Sequence, residues 1–372
     1  MRIASRSIVD LLPAGMTAIF FMAAMPAIAV GQSVFQVAKA PVGEGMEALS
    51  ASSPSDIWAV GVDDQFLMHF DGTTWTAFSV PSTNFLSGVA DISPTEAWAV
   101  GTVGAYAQTI FRWDGTQWSL FPGPVFPSGD ESSLVAMTAI SANDIWATGW
   151  LLSDSGQREG LLFEHWDGTS WSATVGPQGY PLGIAADATS DVWVVGYPVS
   201  QLGQDLIMHY DGTSWKTVAS PTVGKGASEL WGVQALAADN AWAVGYYTPE
   251  APPAESSTLT LIEHWDGSGW TVVPSPNIKD GTYYPNQLYG ITAVSATDIW
   301  AFGNHETTTG RETLLLHWDG TAWSLASCPS PSNPDTLFGG VAPSAGNVWL
   351  VGTADNGNGT LLLHSTTARP NR

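Results

Sequence analysis

The chain has 372 residues and a formal net charge of −23, although only 12% of its residues are charged. So acidic a surface repels nucleic acid and anionic lipid at long range, which excludes both as expected partners. The single cysteine, Cys328, excludes an internal disulfide. The 39 glycines and 24 prolines are typical of many short strands joined by turns.

The first 29 residues predict a secretory signal peptide. Arg2 and Arg6 precede an apolar stretch from Leu11 to Val30, near whose end stands the small-residue pattern Ala27-Ile28-Ala29. We expect cleavage after Ala29 and a secreted, periplasmic or cell-surface protein. The competing interpretation is a retained membrane anchor, since the stretch is nearly long enough to span a bilayer. No later stretch is apolar for that length, so we expect no membrane insertion after cleavage.

A tryptophan recurs along the remaining chain inside a short apolar run that a glycine closes three residues later, as in IWAVG and VWLVG. These tryptophans stand 40 to 58 residues apart, at Trp58, Trp98, Trp146, Trp193, Trp242, Trp300 and Trp349. Self-similarity at such a period indicates a solenoid, a propeller or an array.

Each repeat has the pattern of four strands. Ten residues before the tryptophan, every repeat has a Gly or an Ala, which predicts a first strand whose neighbours come very close. The tryptophan strand is apolar at successive positions, so we expect burial on both of its faces. A third strand ends at an Asp-Gly hairpin signal, and a fourth carries a second tryptophan four residues after that Asp.

These features predict an all-β, seven-bladed β-propeller with four antiparallel strands in each blade, formed by residues 30–372 as a single domain. Blades converge on the axis and diverge outward, so small residues belong to the innermost strand and tryptophans to the wider gaps. The last repeat stops after its third strand, at His364, and the segment from Ser33 to Pro41 resembles a fourth strand. We therefore expect this N-terminal strand to complete blade seven and close the ring.

The order of apolar run, glycine, variable loop, aromatic-ended strand, turn and Trp strand resembles the kelch repeat of galactose-oxidase-type propellers, in an exported bacterial form, over residues 46–364. Single glycines such as Gly61 stand where kelch blades usually carry a pair. The Trp-Asp ending of strand three is also similar to WD repeats, without their Gly-His pair, and the Asp-Gly-Thr-x-Trp hairpin is similar to the Asp-box of sialidases, with a different spacing. A propeller fold does not by itself determine a function.

Most of the chemically versatile residues belong to the repeat. One position on strand three is histidine in six repeats and Arg112 in another. Equivalent positions lie far apart around a ring and cannot converge on one metal, so we expect a structural role and no metal or cofactor. The hairpin aspartates are expected to form turns. Asp91 replaces an alanine of the first strand, which predicts a carboxylate in the central channel.

The candidate binding surface is the face that carries the variable loops. Strands reverse direction, so both variable connections of each repeat lie on one face, and binding residues usually lie on such loops. The longest loops are at 246–258, 276–287 and 304–312. The candidate ligand-binding residues, with the two tryptophans outside the repeat positions, are Tyr246, Tyr247, Asp280, Tyr283, Tyr284, His305, Glu306, Arg311, Trp150 and Trp231.

Three functional hypotheses follow. The first is an exported, monomeric, non-catalytic propeller that binds a protein partner or another ligand through this loop face. The second is a carbohydrate-active protein, either a lectin or a hydrolase; hydrolysis needs a carboxylate pair about 5–9.5 Å apart, and no pair stands out in the sequence. The third is a copper oxidase, for which the resemblance implies a Tyr–Cys copper site, although Cys328 belongs to a fourth strand near the outer edge.

Overall fold

The structure is a computed structural model that describes residues 33–61, 66–80, 84–104, 107–126, 130–153, 156–199, 205–249, 257–279, 284–355 and 359–367. The predicted signal peptide lies outside these ranges, so cleavage and export stay predictions. Within the ranges, no helix is long and apolar enough to cross a membrane. The chain there is all-β.

The strands follow the repeats in chain order. The first fourteen are β1 (Ser33–Val37), β2 (Met46–Ser53), β3 (Asp56–Gly61), β4 (Phe66–Phe70), β5 (Trp75–Ser79), β6 (Asn84–Ser93), β7 (Glu96–Val103), β8 (Ala107–Trp113), β9 (Trp118–Phe121), β10 (Glu131–Ser141), β11 (Asp144–Leu152), β12 (Arg158–Trp166), β13 (Trp171–Val175) and β14 (Gly179–Ala188). They are followed by β15 (Asp191–Pro198), β16 (Leu206–Tyr210), β17 (Trp215–Thr217), β18 (Ser228–Ala237), β19 (Asn240–Tyr247), β20 (Leu259–Trp265), β21 (Trp270–Val272), β22 (Asn286–Ser295), β23 (Asp298–Thr307), β24 (Gly310–Trp318), β25 (Trp323–Leu325), β26 (Thr336–Ser344), β27 (Asn347–Ala354) and β28 (Gly359–Thr367).

The strands of each sheet lie side by side in chain order, from an inner to an outer strand. Four sheets contain β2 to β5, β14 to β17, β18 to β21 and β22 to β25, and a fifth contains β26, β27, β28 and then β1. The remaining strands, β6 to β13, form one sheet of eight. The inner strands β2, β6, β10, β14, β18, β22 and β26 each contact the next, and β26 contacts β2, so the ring is closed. The fold is a β-propeller.

The predicted number of blades is wrong. The structure has five separate four-stranded blades, whereas the second and third repeats share the sheet of eight strands. A single parallel bridge between Ser132 and Ala107 joins them. It forms because β10 begins early, at Glu131, and reaches the beginning of β8. The spacing of the tryptophans predicts the number of repeats, but it does not predict the pairing between the first residues of β8 and β10.

The N-terminal strand adds to the last sheet, as the sequence predicts. β1 pairs antiparallel with β28, from Ser33 opposite Thr367 to Val37 opposite Leu363. Phe35 of β1 is 4% exposed and packs edge to face on Trp300 of the neighbouring sheet, with ring centroids 5.2 Å apart. The two ends of the chain therefore hold the ring together through both pairing and packing.

The repeat histidines have a structural role, as predicted. The Nε2 atom of each lies 2.6–3.0 Å from a side-chain oxygen of the residue that begins the tryptophan strand. The pairs are His69 with Asp56, His165 with Asp144, His209 with Asp191, His264 with Asn240, His317 with Asp298 and His364 with Asn347. Each imidazole lies 3.9–4.4 Å, centroid to centroid, from the repeat tryptophan. In the second repeat Arg112 takes the place of the histidine. Its guanidinium carbon lies 5.2 Å from the Trp98 ring centroid, and the group donates a hydrogen bond to Glu96.

The hairpin aspartates form turns, also as predicted. Asp71 Oδ1 accepts hydrogen bonds from the backbone N–H groups of Thr73 and Thr74 at 2.8 Å, and Gly72, between Asp71 and Thr73, has a φ of 91°. That left-handed conformation favours glycine. The same arrangement recurs at Asp114, Asp167, Asp211, Asp266 and Asp319.

The glycine after each repeat tryptophan makes room for a bulge in the inner strand. In β18, Leu230 opposes Gly245 and Gly232 opposes Val244, so Trp231 is an extra, bulged residue. The bulge brings the carbonyl oxygen of Glu229 to 1.8 Å from where a Cβ on Gly245 would stand. Equivalent distances are 1.8–2.1 Å at Gly61, Gly101, Gly149, Gly196, Gly303 and Gly352. Real Cβ atoms do not approach oxygen so closely, so only glycine fits.

We expect Gly245→Ala to lower the free energy of unfolding by roughly 3 kcal/mol, because the new methyl group overlaps the Glu229 carbonyl. Thermal unfolding measures this. The control is Gly269→Ala, whose added Cβ would have no atom within 4 Å. Equal melting temperatures for the two variants would contradict the bulge explanation.

Phe35→Ala is expected to cost about 3 kcal/mol of unfolding free energy, because it removes a buried ring and its contact with Trp300. Val37→Ala in the same strand is the matched control, since Val37 is 53% exposed. Denaturant titration of both variants is the measurement. A loss at Val37 as large as that at Phe35 would contradict the assignment of the stabilisation to the buried Phe35 ring.

Candidate functional site

The bulge recurs at one position of every inner strand. The bulged residues are Glu47, Ser87, Val135, Leu182, Trp231, Tyr289 and Phe338. All seven are half-buried. Bulges re-aim side chains, and contacts between neighbouring inner strands at this level place the seven side by side around the axis. The backbone is thus the same in each repeat, while the chemistry of the exposed side chain varies.

Three consecutive bulged residues are aromatic and touch each other. The rings of Trp231 and Tyr289 have centroids 4.8 Å apart and lie at 81°, and those of Tyr289 and Phe338 are 5.2 Å apart at 44°. The Tyr289 hydroxyl donates to Gln287 Oε1 at 2.8 Å. Together these contacts form a continuous aromatic surface across three adjacent sheets.

A carboxylate lies at one end of this surface. Glu229 Oε2 accepts hydrogen bonds from the Trp231 indole at 3.1 Å and from the Tyr246 hydroxyl at 2.7 Å. Burial and the hydrogen bond to Glu229 raise the pKa of Tyr246 above its ordinary value, so the phenol keeps its proton. We call Trp231, Tyr289, Phe338, Tyr246 and Glu229 the aromatic arc.

The structure brings only some of the predicted ligand-binding residues into this arc. Trp231 and Tyr246 belong to it. Tyr247, at the end of β19, instead packs against the core between neighbouring sheets. Trp150 lies in β11 of the eight-stranded sheet, two repeats away from the arc. Which of these residues contact a ligand stays a prediction.

The predicted loop at 304–312 is a tight hairpin instead, because β23 continues to Thr307 and β24 begins at Gly310. His305 is a strand residue only 6% exposed, and its Nε2 lies 4.0 Å from Glu312 Oε2. Arg311 and Glu306 pair across the hairpin at 3.8 Å. Their opposite charges largely cancel beside the arc.

The loop at 276–287 is described only in part. Asp280 and Tyr283 lie outside the described residues. The backbone N–H of Tyr284 donates a hydrogen bond to Ser257 Oγ at 2.7 Å, and the ammonium group of Lys279 lies 5.6 Å from the Tyr284 ring centroid.

Sequence reasoning missed Glu229, Tyr289 and Phe338. All three lie in inner strands, which the repeat pattern marks as scaffold. The sequence did contain a signal. The Gly or Ala ten residues before each repeat tryptophan is preceded by a residue that differs between repeats, and in three successive repeats this residue is aromatic: Trp231, Tyr289 and Phe338. Its meaning depends on the bulge, which the pattern does not show.

Asp91 lies in the central channel, as predicted. It lines a cavity of about 340 Å³ on the axis with Ser50, Thr138, Gln234 and Thr292 among its neighbours. Asp91 Oδ2 accepts the Ser52 N–H at 3.0 Å. Burial, and then the charge of Asp56, raise the pKa of Asp91 to about 8. Both effects favour the protonated form of Asp91.

Grooves of about 430, 500 and 560 Å³ lie near the outer edge. Each is lined by a fourth-strand tryptophan, respectively Trp215, Trp118 and Trp75. The grooves lie at equivalent positions between neighbouring sheets, so we attribute them to the outward divergence of the sheets. We assign them to the scaffold.

A pair of carboxyl groups is buried between two sheets. The Ser220 hydroxyl contacts Asp205 Oδ2 at 3.4 Å and the two Glu263 oxygens at 3.0 and 3.2 Å, and Ser228 donates to Asp205 at 2.9 Å. Burial raises the pKa of Asp205 to about 7, and burial with the charge of Asp205 raises that of Glu263 to about 8. Glu263 is fully buried, so the pair is not placed to attack a substrate.

Cys328 lies in an apolar cluster with Phe35 and Trp300. Burial raises the pKa of its thiol to about 12, which keeps it protonated. Among the residues that the structure describes, no three His, Cys, Asp or Glu side chains come together as metal ligands would.

Comparisons with known proteins place the chain by fold alone. No protein-family model matches it, so the kelch-like assignment is not confirmed, and no curated protein matches it either. Solved structures do match. YCF48 from Cyanidioschyzon merolae is 15% identical with a TM-score of 0.59, over 89% of this chain and 98% of that one. A structure described as YCF48 bound to D1 peptide is also 15% identical with a TM-score of 0.59, over 91% and 100% of the two chains. The similarity supports the β-propeller fold.

The Asp205–Glu263 pair should make the protein more stable in mild acid. An unfolded carboxyl ionises above a pKa of about 4, whereas in the folded protein these two keep protons up to about 7 and 8. Folding therefore becomes less favourable as the pH rises from about 4 to about 8. We expect the melting temperature to rise as the pH falls from about 8 to about 5.

Glu263→Gln removes one of the two titrating carboxyl groups and keeps a side chain of the same size that can hydrogen-bond to Ser220. We expect the variant to melt about 3 °C higher than the native protein near pH 8, and to lose part of the pH dependence. Glu131→Gln, at an exposed carboxyl, is the control. An unchanged pH dependence in Glu263→Gln would contradict the assignment.

Proposed function

We propose that this chain is a non-catalytic binding propeller that holds a segment of a protein partner against the aromatic arc. One observation carries the proposal: the repeated bulge directs Trp231, Tyr289 and Phe338 to one half-exposed surface on the face of the variable loops. Tryptophan and tyrosine are the residues most enriched at protein contact sites. A rigid ring of inner strands presents them without a cost for ordering a loop.

The similarity to a YCF48 structure with a bound D1 peptide adds support, because that propeller holds a peptide. At 15% identity the likeness does not transfer the peptide or its site to this chain. It supports only the choice of a polypeptide as the class of ligand.

The shape of the arc favours a polypeptide over a sugar. Trp231 and Tyr289 meet edge to face, at 81°, so the edge of one ring covers part of the other. What remains is a stepped surface that suits an irregular set of side chains better than a flat sugar ring. Glycan-array binding that is lost in Trp231→Ala would favour the lectin alternative.

Tyr289→Ala should weaken binding of polypeptide ligands about tenfold, because the ring contacts both of its aromatic neighbours. The ligands are peptides selected on the native protein from a random phage-displayed library. Fluorescence anisotropy gives the dissociation constants of the selected peptides for the native protein and the variant.

The matched control is Leu325→Ala, which removes a 48% exposed apolar side chain from an outer strand. We expect it to bind the selected peptides as the native protein does. Selected peptides that bind Tyr289→Ala and native protein equally would contradict the proposed site.

Export by the predicted signal peptide is a separate proposal, tested by the N-terminal sequence of protein recovered outside the cytoplasm.

A further inference from the structure

Glu229 lies where a carboxylate and aromatic rings can act on one ligand group. Its Oε2 holds the Trp231 indole and the Tyr246 hydroxyl, and Oε1 takes neither of these bonds. Trp231 in turn contacts Tyr289. Glu229 is half-buried, so its charge acts through a medium of lower dielectric than bulk water.

The charges around the arc sum to a negative value. Arg311 lies near Tyr289, but its guanidinium is within 3.8 Å of the Glu306 carboxylate. Lys279 lies over the Tyr284 ring. Next to Phe338 around the axis, the bulged residue is a second acid, Glu47. The whole chain also has a net charge of −23, so its long-range field attracts cations.

Aromatic rings attract cations through their negative faces, and the attraction grows when the cation is desolvated. A neighbouring carboxylate adds a charge-assisted hydrogen bond to an ammonium or guanidinium group. An anionic ligand would meet repulsion from Glu229 at the same place. The chemistry of the arc therefore selects the sign of the ligand's charge.

We propose, resting on the proposed function, that the arc recognises a basic polypeptide segment whose Arg or Lys side chain lies across the exposed parts of Trp231 and Tyr289, with its cationic group at Glu229. Apolar neighbours of that side chain in the segment contact Phe338. The partner is thus a protein with an exposed stretch of alternating basic and apolar residues.

The test uses three labelled ten-residue peptides in which Leu alternates with Arg, with Gln or with Glu. Fluorescence anisotropy gives their affinities for the full chain at about 50 and about 300 mM salt, where screening differs strongly. We expect the Arg peptide to bind most tightly and to weaken with salt, the Gln peptide to bind less tightly, and the Glu peptide to bind least.

The deciding variant is Glu229→Gln, which keeps an acceptor for Trp231 and Tyr246 but removes the charge. We expect the variant to bind the Arg peptide about tenfold more weakly than the native protein does, and to bind the Gln peptide with nearly the same affinity. Glu131→Gln, at an exposed carboxyl where β10 begins on the same face, removes the same charge elsewhere and should leave both peptides unaffected. Trp231→Leu should weaken the Arg peptide more than the Gln peptide.

Equal loss in Glu229→Gln and Glu131→Gln would reduce the effect to long-range attraction and overturn the inference. So would equal affinity for the Arg and Glu peptides, or no binding of the Arg peptide. If library-selected peptides still depended on Tyr289 in those cases, the proposed function would stand and only its basic specificity would fall. Loss of that dependence as well would remove both.

Discussion

The close approach between a glycine and a bulged carbonyl is the constraint on which the rest of the molecule depends. Each tryptophan strand contains a glycine three residues after the tryptophan, and an inner-strand carbonyl oxygen lies about 2 Å from where a Cβ on that glycine would stand. That space permits the bulge, which leaves one inner-strand residue in each repeat without a partner on the tryptophan strand. The position of the aromatic arc follows from this contact.

Residues that stabilise the fold and residues of the proposed ligand surface lie at different distances from the propeller axis. Toward the rim, stacked Trp and His side chains, held by Asp or Asn, repeat with little variation and fill the diverging gaps between sheets. At the bulged position, the side chain is free to vary because the backbone alone makes the bulge. A ligand surface can therefore differ from one side of the axis to the other while the core stays regular. In this chain the variation places three aromatic residues together and an acid beside them.

Regular features of the sequence predicted most of the scaffold and part of the site. The histidine position, the Asp-Gly turns and the pairing of β1 with β28 depend on local pattern and chain ends, so they were predicted correctly. The blade count was wrong because the bridge between Ser132 and Ala107 depends on how far β10 extends, which has no periodic signal. Trp231 was found as a tryptophan outside the repeat positions, and Tyr246 as the first residue of a predicted long loop. Glu229, Tyr289 and Phe338 were missed because they lie in strands that look like scaffold.

The sequence by itself determined a β-propeller, the order of strands within each repeat and the residues that fill its core, since these follow from spacing and side-chain volume. Only the tertiary structure decided which side chains of neighbouring inner strands contact each other. A bulge shifts the strand register by one residue and so changes where a side chain points, and it arises from contacts between strands that a one-dimensional pattern does not record. The aromatic arc is therefore a property of the closed ring.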